Sequence, residues 1–374
     1  MNFELTEDQR MLVEAAQGFT RKQSPVARMR KLRDDAIGWS PEVWRQMADL
    51  GWLGLVFPEA AGGLGGSFVD LALLLEQLGT TLVPEPIVAS LVAGVAIAEA
   101  GDAAQHQAHL TPMIEGKASL ALAWAELDGR YDPARIATRA ERASGGYRLT
   151  GHKRFVLDGH AARQLVVSAA EPGGGLALFV VDAGAPGVTV QPVRTLDGRR
   201  AAMIALDTEV AADRRLGGDG RAALERALDL GAVAACAEGV GIMRAVFAMT
   251  TEYLKTREQF GAKIGSFQVL QHRAVDMFIE TELMYSMLLA AAIRLDGDDL
   301  AERVAAVTSA KVQLAESGRY VTQQAIQLHG GIGITDEHDV GLYFKRMLAL
   351  NASFGDAQHH LARFAARPGF TANL

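Results

Sequence analysis

One segment constrains the fold of this 374-residue chain more than any other, the apolar, Ala-rich stretch Gly220–Thr256. Its composition is helical, and a helix of roughly 36 residues would be about 54 Å long, which suits a helical bundle. The stretch runs into Arg257, after which Gly261 and Gly265 break the pattern before a second helix resumes. The chain beyond Gly220 is therefore predicted to form a bundle.

The first third of the chain also reads as helices. Thr6 and Gln9 form a capping-box signature, and Ser40-Pro41 begins a capped helix that stops at Gly51. Further helices are predicted over residues 70–78 and 87–100. The Gly-rich loop at residues 58–66 is followed by helix after helix. A dinucleotide-binding fold needs strand, turn, helix and strand at this point, so we exclude that interpretation.

From about Ser119 onward the sequence pattern is typical of β-strands. Short segments separated by Gly, Pro and Asp lie at residues 120–124, 147–149, 154–157, 165–168, 177–181, 188–192 and 203–206. Their spacing predicts a small antiparallel barrel or sandwich. The expected domains are residues 1–118, helical; 119–217, β; and 218–374, helical.

The composition favours small-molecule or protein partners. A net charge of -7 and a pI of about 5.8 argue against a nucleic-acid surface or a basic membrane patch. Cys236 is the only cysteine and lies in an apolar run, so we expect a buried thiol and a reducing compartment.

Neither a targeting segment nor a metal site is predicted. The first ten residues, MNFELTEDQR, lack an apolar signal core, and charged residues such as Asp229 and Arg244 divide the longest apolar run. We therefore expect a cytoplasmic protein that does not enter a membrane. His359 and His360 are adjacent and point to different faces of a helix, which argues against a shared metal.

Two motifs in the last third carry chemistry. Residues 253–277 read YLKTREQFGAKIGSFQVLQHRAVDM, and polar groups interrupt them where a core helix would stay apolar. Arg257 beside a glycine turn can offer a fork of donors to a pyrophosphate, or it is a surface arginine at a helix end. Residues 327–333, QLHGGIG, end a helical segment predicted over 304–329, and their glycine pair suits a left-handed cap.

Together, Y-x-x-x-R-x-x-F-G-x-x-I-x-x-F-Q-x-x-x-H-x-x-A and Q-x-x-G-G-x-G-x-T resemble the two C-terminal signatures of the acyl-CoA dehydrogenase family. Within that family the chain is most similar to the small subunit of pimeloyl-CoA dehydrogenases, through SFQVLQHRA, KVQ, SGR, QLHGGIGIT, YFKR and FGDA-x-HHL. The resemblance implies a mainly α fold with an inserted β domain: an N-terminal helical domain, a middle β-barrel or sandwich, and a C-terminal four-helix bundle.

The resemblance also implies a cofactor and partners. They are FAD, an acyl-CoA substrate, a homologous larger subunit or further copies of this chain, and an electron-transfer flavoprotein as electron acceptor. In the family, the matching residues reach across a subunit interface to the pyrophosphate and adenosine of a neighbour's FAD. Here they are Arg257, Gln259, Phe260, Gln268, His272, Gln327, Gly330 and Gly331.

The family's catalytic base is missing from both places where it is expected. A carboxylate removes the α-proton of the acyl thioester while the β-hydride passes to flavin N5, and the aligned position is Phe354. Other branches of the family place the base near Gly231, which also has no acidic side chain. Asp356 is the nearest carboxylate in sequence, although a helix-capping or solvated role suits it better. The catalytic residue is therefore left unassigned.

The flavin-ring positions are altered too. Ala125, Tyr131 and Phe155 stand where the family has a threonine, a serine and a tryptophan. Three hypotheses follow: one subunit of a two-gene acyl-CoA dehydrogenase whose larger partner holds the ring and the base; a self-sufficient homotetramer that uses Asp356; and a cofactor-free scaffold that kept the fold.

Overall fold

The computed structural model describes residues 4–367. They fall into two compact units, which we describe separately. Of the described residues, the first unit contains 4–31, 68–83 and 232–367, and the second contains 32–67 and 84–231. The boundaries expected near residues 118 and 217 stay predictions.

The first unit is helical. Its helices are α1 (Glu7–Gln23), α2 (Val26–Leu32), α4 (Phe68–Gly79), α8 (Gly220–Thr256, from residue 232 onward), α9 (Gln268–Asp296), α10 (Leu300–Gln313), α11 (Arg319–His329), α12 (Val340–Ala352) and α13 (Ala357–Ala365). A short hairpin of β8 (Glu258–Gln259) and β9 (Ala262–Lys263) joins α8 to α9. The second unit contains α3 (Pro41–Asp49), α5 (Ile87–Ala100), α6 (Ala103–Gln105), α7 (Thr111–Ile114) and a seven-stranded sheet.

Local signals set the helix ends. The capping box at α1 is confirmed, because the Gln9 amide donates to Thr6 Oγ1 at 3.2 Å and the Thr6 amide to Gln9 Oε1 at 3.1 Å. Gln9 Nε2 also donates to Asp70 Oδ1 at 2.9 Å, which ties α1 to α4. In the second unit, Ser40 caps α3 as predicted, and Gly51 follows with a φ of 76°.

The long helix α8 extends over 37 residues, as predicted. By length and composition alone α8 would pass for a membrane-spanning helix, although charged residues such as Asp229 and Arg244 interrupt its apolar run. However, 72% of the most apolar 18-residue segment of α8 is buried inside the protein. A core helix of a soluble protein can have the same length and composition. Cys236 lies in this buried part, and burial raises the pKa of its thiol to about 12.

The helix predicted over residues 304–329 begins earlier and is interrupted. Asp299 caps it by accepting from the amides of Ala301 and Glu302, and a π-type turn, Leu314–Gly318, separates α10 from α11. Gly318 lies against the side chain of Met347, and a Cβ added there would come within 2.4 Å of its sulfur.

The prediction of a wholly antiparallel β domain is wrong, because the sheet is mixed. Its strands are β1 (Leu120–Ala123), β2 (Arg139–Ala143), β3 (Gly146–Leu157), β4 (Gln164–Ala170), β5 (Leu176–Asp182), β6 (Val188–Arg194) and β7 (Arg200–Ala211). The order is β1-β4-β2-β3-β7-β6 with β5 on β4, and the β1–β4 and β2–β4 pairs are parallel. Segment spacing indicates strands but not the direction in which distant ones pair.

Two strand predictions also differ from the structure. The strand β2 was missed, because its sequence RAERA buries only Ala140 fully and so lacks an apolar pattern. The segments at 147–149 and 154–157 form one strand, β3, with a bulge between Lys153 and Val156. The core of the sheet includes Tyr147 and Phe179, whose rings pack edge to face at 5.1 Å.

Candidate functional site

The strongest candidate site begins where α8 ends. Arg257 follows the last residue of the helix and keeps its backbone in place, since its amide donates to the Tyr253 carbonyl at 2.9 Å and its carbonyl accepts from the Ile264 amide at 2.9 Å. Its exposed guanidinium makes no hydrogen bond or ion pair with any residue between 4 and 367. Arg257 therefore presents a fork of unused donors on a fixed backbone.

The β8–β9 hairpin places an aromatic ring beside this arginine. Phe260 and Gly261 are its central residues, with φ values of 57° and 76°, as in the two-residue turn that matches the twist of a hairpin. The Phe260 side chain is 92% exposed. The edge of this ring meets Phe267, with ring centroids 6.3 Å apart, and most of its surface stays open to solvent.

The glycine pair forms the second half of the site. Gly330 ends α11 with a φ of 63° and a ψ of -140°, so the left-handed cap that we predicted is wrong in its ψ angle. The reason is that the chain continues directly into the 3-10 turn Gly330–Ile334. A Cβ added to Gly330 or Gly331 would meet no atom within 4 Å, so the backbone here is open to an approaching group.

The remaining predicted residues lie in the same unit and are exposed: Gln259, Gln268, His272 and Gln327. Gln268 is the first residue of α9, and Phe267 before it provides no side-chain cap. The Leu270 amide already donates to the Phe267 carbonyl at 3.0 Å, so in the first turn of this 29-residue helix only the Gln268 and Val269 amides have no acceptor among the described residues and could bind an anion. Stacked rings of Tyr253 and His329, 4.6 Å apart, join the Arg257 segment to the glycine segment.

The turn between α12 and α13 holds the residues aligned with the base. Phe354 is half-buried with a φ of 56°, and its carbonyl accepts from His360 Nε2 at 3.0 Å. Asp356 Oδ1 accepts from the His359 amide at 2.8 Å, so this carboxylate caps α13. Burial lowers the pKa of His360 to about 3, which leaves it neutral.

A buried lysine in α10, Lys311, which was not predicted from the sequence, binds the end of α12 just before this turn. Lys311 Nζ donates to the Leu350 carbonyl at 2.6 Å and approaches the Asn351 carbonyl at 3.5 Å. These carbonyls end α12, where a positive charge is favourable. Burial lowers the pKa of Lys311 to about 8. Gly231, the alternative base position, is buried in the part of α8 that belongs to the second unit.

The residues aligned with the flavin ring lie in the second unit. Phe155 occupies the bulge of β3 with a φ of 48° and is 60% exposed. The Ala125 carbonyl accepts from the Arg154 amide at 2.8 Å. Neither Ala125 nor Phe155 carries a side-chain donor for a flavin.

A buried ion pair that sequence reasoning missed supports this segment. Lys153 Nζ lies 2.6 Å from Glu126 Oε1 and 3.0 Å from Ser168 Oγ. Burial lowers the pKa of Lys153 to about 8 although the charge of Glu126 opposes this. The sequence did contain one signal that Lys153 is buried. Side chains of a strand point alternately to its two faces, and Lys153 is an even number of residues from Tyr147 and Leu149, which face inward.

Within residues 4–367, no group of three or more His, Cys, Asp or Glu side chains is placed to hold a metal ion. The His359 and His360 rings lie 5.1 Å apart at 83°, and His360 is committed to the Phe354 carbonyl.

Fold and donor set together define an FAD-dependent oxidoreductase. This chain belongs to the acyl-CoA dehydrogenase family: the family's N-terminal, middle and C-terminal domains match residues 6–117, 121–208 and 218–368. It is 30% identical to the probable acyl-CoA dehydrogenase YngJ of Bacillus subtilis (strain 168) over 356 residues, which cover 91% of this chain and 92% of that protein.

Two solved structures are similar over nearly their whole length. A variant of the Tcur3481-Tcur3483 steroid ACAD is 33% identical with a TM-score of 0.89, covering 98% of this chain and 99% of that one. The ChsE4-ChsE5 complex from Mycobacterium tuberculosis is 29% identical with a TM-score of 0.90, covering 98% of each chain.

The described residues fit one half of the family's cofactor. A free guanidinium, an uncapped helix start and an open glycine backbone suit the pyrophosphate and adenosine of FAD. At the ring positions Ala125 and Phe155 offer no side-chain donor, and Tyr131 has a phenol where the family has the aliphatic hydroxyl of a serine. The residues that match the family's pyrophosphate and adenosine contacts therefore fit FAD better than the residues at the flavin-ring positions do.

Proposed function

We propose that this chain is the small subunit, without a catalytic base, of a heteromeric acyl-CoA dehydrogenase of the pimeloyl-CoA dehydrogenase type. It completes the FAD site of a larger homologous subunit, and the heteromer removes two hydrogens from Cα and Cβ of an acyl-CoA thioester. The observation that carries the proposal is the exposed Arg257, whose guanidinium has no partner within residues 4–367, together with the open glycine pair, in a chain that has Phe354 at the base position.

The local geometry supports different roles for the residues of this chain and for those of the partner subunit. Arg257 and the amide groups at the start of α9 would bind the pyrophosphate, and Gln327 to Gly331 would line the adenosine side. FAD supplies the hydride acceptor when it is bound. The proton acceptor would come from the partner, because Phe354 has no basic atom and Asp356 already accepts the His359 amide.

The exposed face of α9 suits a subunit interface next to this donor set. Four apolar side chains form a stripe on one face of the helix: Val275, Phe278, Ile279 and Leu283 are 54%, 49%, 53% and 44% exposed. Their spacing of three and four residues places them along the same face as Gln268 and His272. A partner that covers the stripe would also meet the nucleotide-binding residues.

We propose a bulky acyl-CoA as the substrate, either a long or dicarboxylic chain or a steroid side chain. The motifs shared with pimeloyl-CoA dehydrogenase support the first, and the similarity to a steroid ACAD supports the second. An electron-transfer flavoprotein would reoxidise the flavin. We place the heteromer in the cytoplasm and its domain boundaries near residues 118 and 217.

Co-expression tests the proposal. The chain is produced alone and together with a larger acyl-CoA dehydrogenase homologue that carries the glutamate and the ring-binding motifs. We expect the isolated chain to be pale and about 10²–10⁴-fold less active than the heteromer, since it lacks a general base. If the isolated chain binds one FAD per subunit and an acyl-CoA reduces that FAD promptly, the chain is self-sufficient. If no heteromer forms and no flavin binds, it is a scaffold.

A further inference from the structure

A column of three aromatic rings, Tyr253, His329 and His338, adjoins the proposed nucleotide-binding segments of the first unit. The Tyr253 and His329 rings stack with centroids 4.6 Å apart and planes inclined by 29°. The His338 ring also contacts His329, with centroids 4.5 Å apart and planes inclined by 52°. His329 is the centre of the column and is only 2% exposed.

Each ring is attached to a different segment of the site. The carbonyl of Tyr253 accepts the amide of Arg257, so this ring moves with the arginine backbone. His329 immediately precedes Gly330 and Gly331, and its Nδ1 donates to the Ala325 carbonyl at 2.7 Å, which fixes the ring on α11. The contact between Tyr253 and His329 is therefore a direct link between the two halves of the site.

The far end of the column is anchored as well. His338 Nδ1 accepts from the Val340 amide at 3.2 Å and so caps the start of α12. The neighbouring Asp339 accepts from Arg30 Nη2 at 2.7 Å, and Arg30 of α2 also donates to the Asp336 carbonyl. The loop that returns from the glycine pair is thus held at both of its ends.

Ordinary core packing does not account for the choice of histidine at position 329. Because Nδ1 carries the proton given to Ala325, Nε2 is a buried acceptor without a donor among the described residues. A leucine or phenylalanine would fill the space without this cost. What histidine keeps is a flat ring that contacts two other rings, together with a hydrogen bond that sets its angle.

We propose that His329 is a positioning residue that sets the spacing between Arg257 and the Gly330–Gly331 backbone, and through it the affinity for the FAD pyrophosphate. This inference rests on the proposed function. Arg257 and the glycine pair lie on separate, exposed segments. An FAD whose pyrophosphate contacts Arg257 and whose adenosine contacts the glycine pair would bind tightly only if the separation of these two segments is fixed beforehand.

The test measures FAD affinity of the apo-heteromer by flavin fluorescence, together with its thermal unfolding midpoint. We expect His329→Leu to weaken FAD binding about tenfold, the effect of losing one charge-assisted contact. His329→Phe keeps the stacked ring and is expected to retain most of the affinity. Leu295→Ala, a fully buried change near the end of α9, controls for general destabilisation. Should His329→Leu fail to fold, Tyr253→Leu removes the same contact from a half-buried position.

A double-mutant cycle separates positioning from packing. If His329 acts through Arg257, His329→Leu costs little further affinity once Arg257→Ala is present. Additive losses, or a loss no larger than that of Leu295→Ala at the same unfolding midpoint, would overturn the inference. If Arg257→Ala itself leaves FAD binding unchanged, the proposed function fails instead, so the two failures are distinguishable.

Discussion

Gly241 of α8 faces the backbone of Glu76 in α4 so closely that a Cβ on Gly241 would lie 2.0 Å from the Glu76 carbonyl oxygen. Gly79 makes the reciprocal approach, with its Cβ position 2.4 Å from the Glu238 carbonyl oxygen. Both neighbours are backbone atoms and cannot rotate away. The two helices can therefore cross only where each has a glycine.

Gly241→Ala should destabilise the first unit, because the helices must separate to admit one methyl group. We expect a loss of about 3 kcal/mol in the free energy of unfolding, at the upper end for overpacking. Denaturant titration followed by circular dichroism measures it. Gly18→Ala in α1 is the matched control, since no atom lies within 4 Å of its Cβ position, and it should gain up to about 1 kcal/mol. Equal midpoints for the two variants would contradict the close crossing.

Lys311 should make stability depend on pH at alkaline values. Its folded pKa of about 8 lies below the ordinary 10.5 because burial disfavours the charged form. Between these values the unfolded chain binds more protons at this site, so this group adds stability as the pH rises. The free energy of unfolding of the wild type, relative to Lys311→Met, should therefore increase by a few kcal/mol from about pH 7 to about pH 10.5.

Urea titrations at the two pH values give this difference, and Lys255→Met, on the exposed last turn of α8, controls for the removal of a positive charge. A constant difference between wild type and Lys311→Met would show that the buried amine does not titrate in this range.

Arg257→Ala should lower the FAD content of the heteromer without changing its helix content. Loss of a bidentate charge-assisted contact corresponds to about ten- to a hundredfold in affinity. Flavin absorbance after extensive dialysis measures retention, and Arg257→Lys tests whether the fork rather than the charge is needed. Full retention in Arg257→Ala would return Arg257 to the role of a surface arginine.

Ile279→Lys should prevent association of the subunits, since it places a charge in the middle of the exposed apolar stripe of α9. Burying an unpaired ammonium costs several kcal/mol. Light scattering of the co-expressed pair reports the mass of the assembly. Leu64→Lys, an equally exposed leucine position in the second unit, is the control. An unchanged assembly in Ile279→Lys would exclude this face as the interface.

Asp356→Asn should leave flavin reduction by an acyl-CoA within about twofold of the wild-type heteromer, because asparagine caps a helix as well as aspartate does. Asp356→Ala, by contrast, should lose about 1 kcal/mol of stability with the cap. Stopped-flow absorbance records the reduction. A large fall in the reduction rate of Asp356→Asn with FAD still bound would identify this carboxylate as the base.

Much of the local structure could be read from the sequence, because it depends on residues close together in the chain. The capping box at Thr6, the capped start of α3 and the length of α8 were all predicted and are confirmed. The same holds for the placement of Arg257 at a helix end and for Asp356 as a cap of α13. Helix propensity and capping act over a few residues, so a short stretch of sequence contains all the information they need.

The tertiary structure decided what depends on distant residues. The parallel pairing of β1 with β4 joins residues more than 40 positions apart, and the polar strand β2 forms only because β3 is there to pair with it. The burial of Lys153 and Lys311, the column through His329 and the ψ of Gly330 likewise depend on what the rest of the chain places around them. No single segment encodes these arrangements, because their energies come from contacts that exist only once the chain has folded.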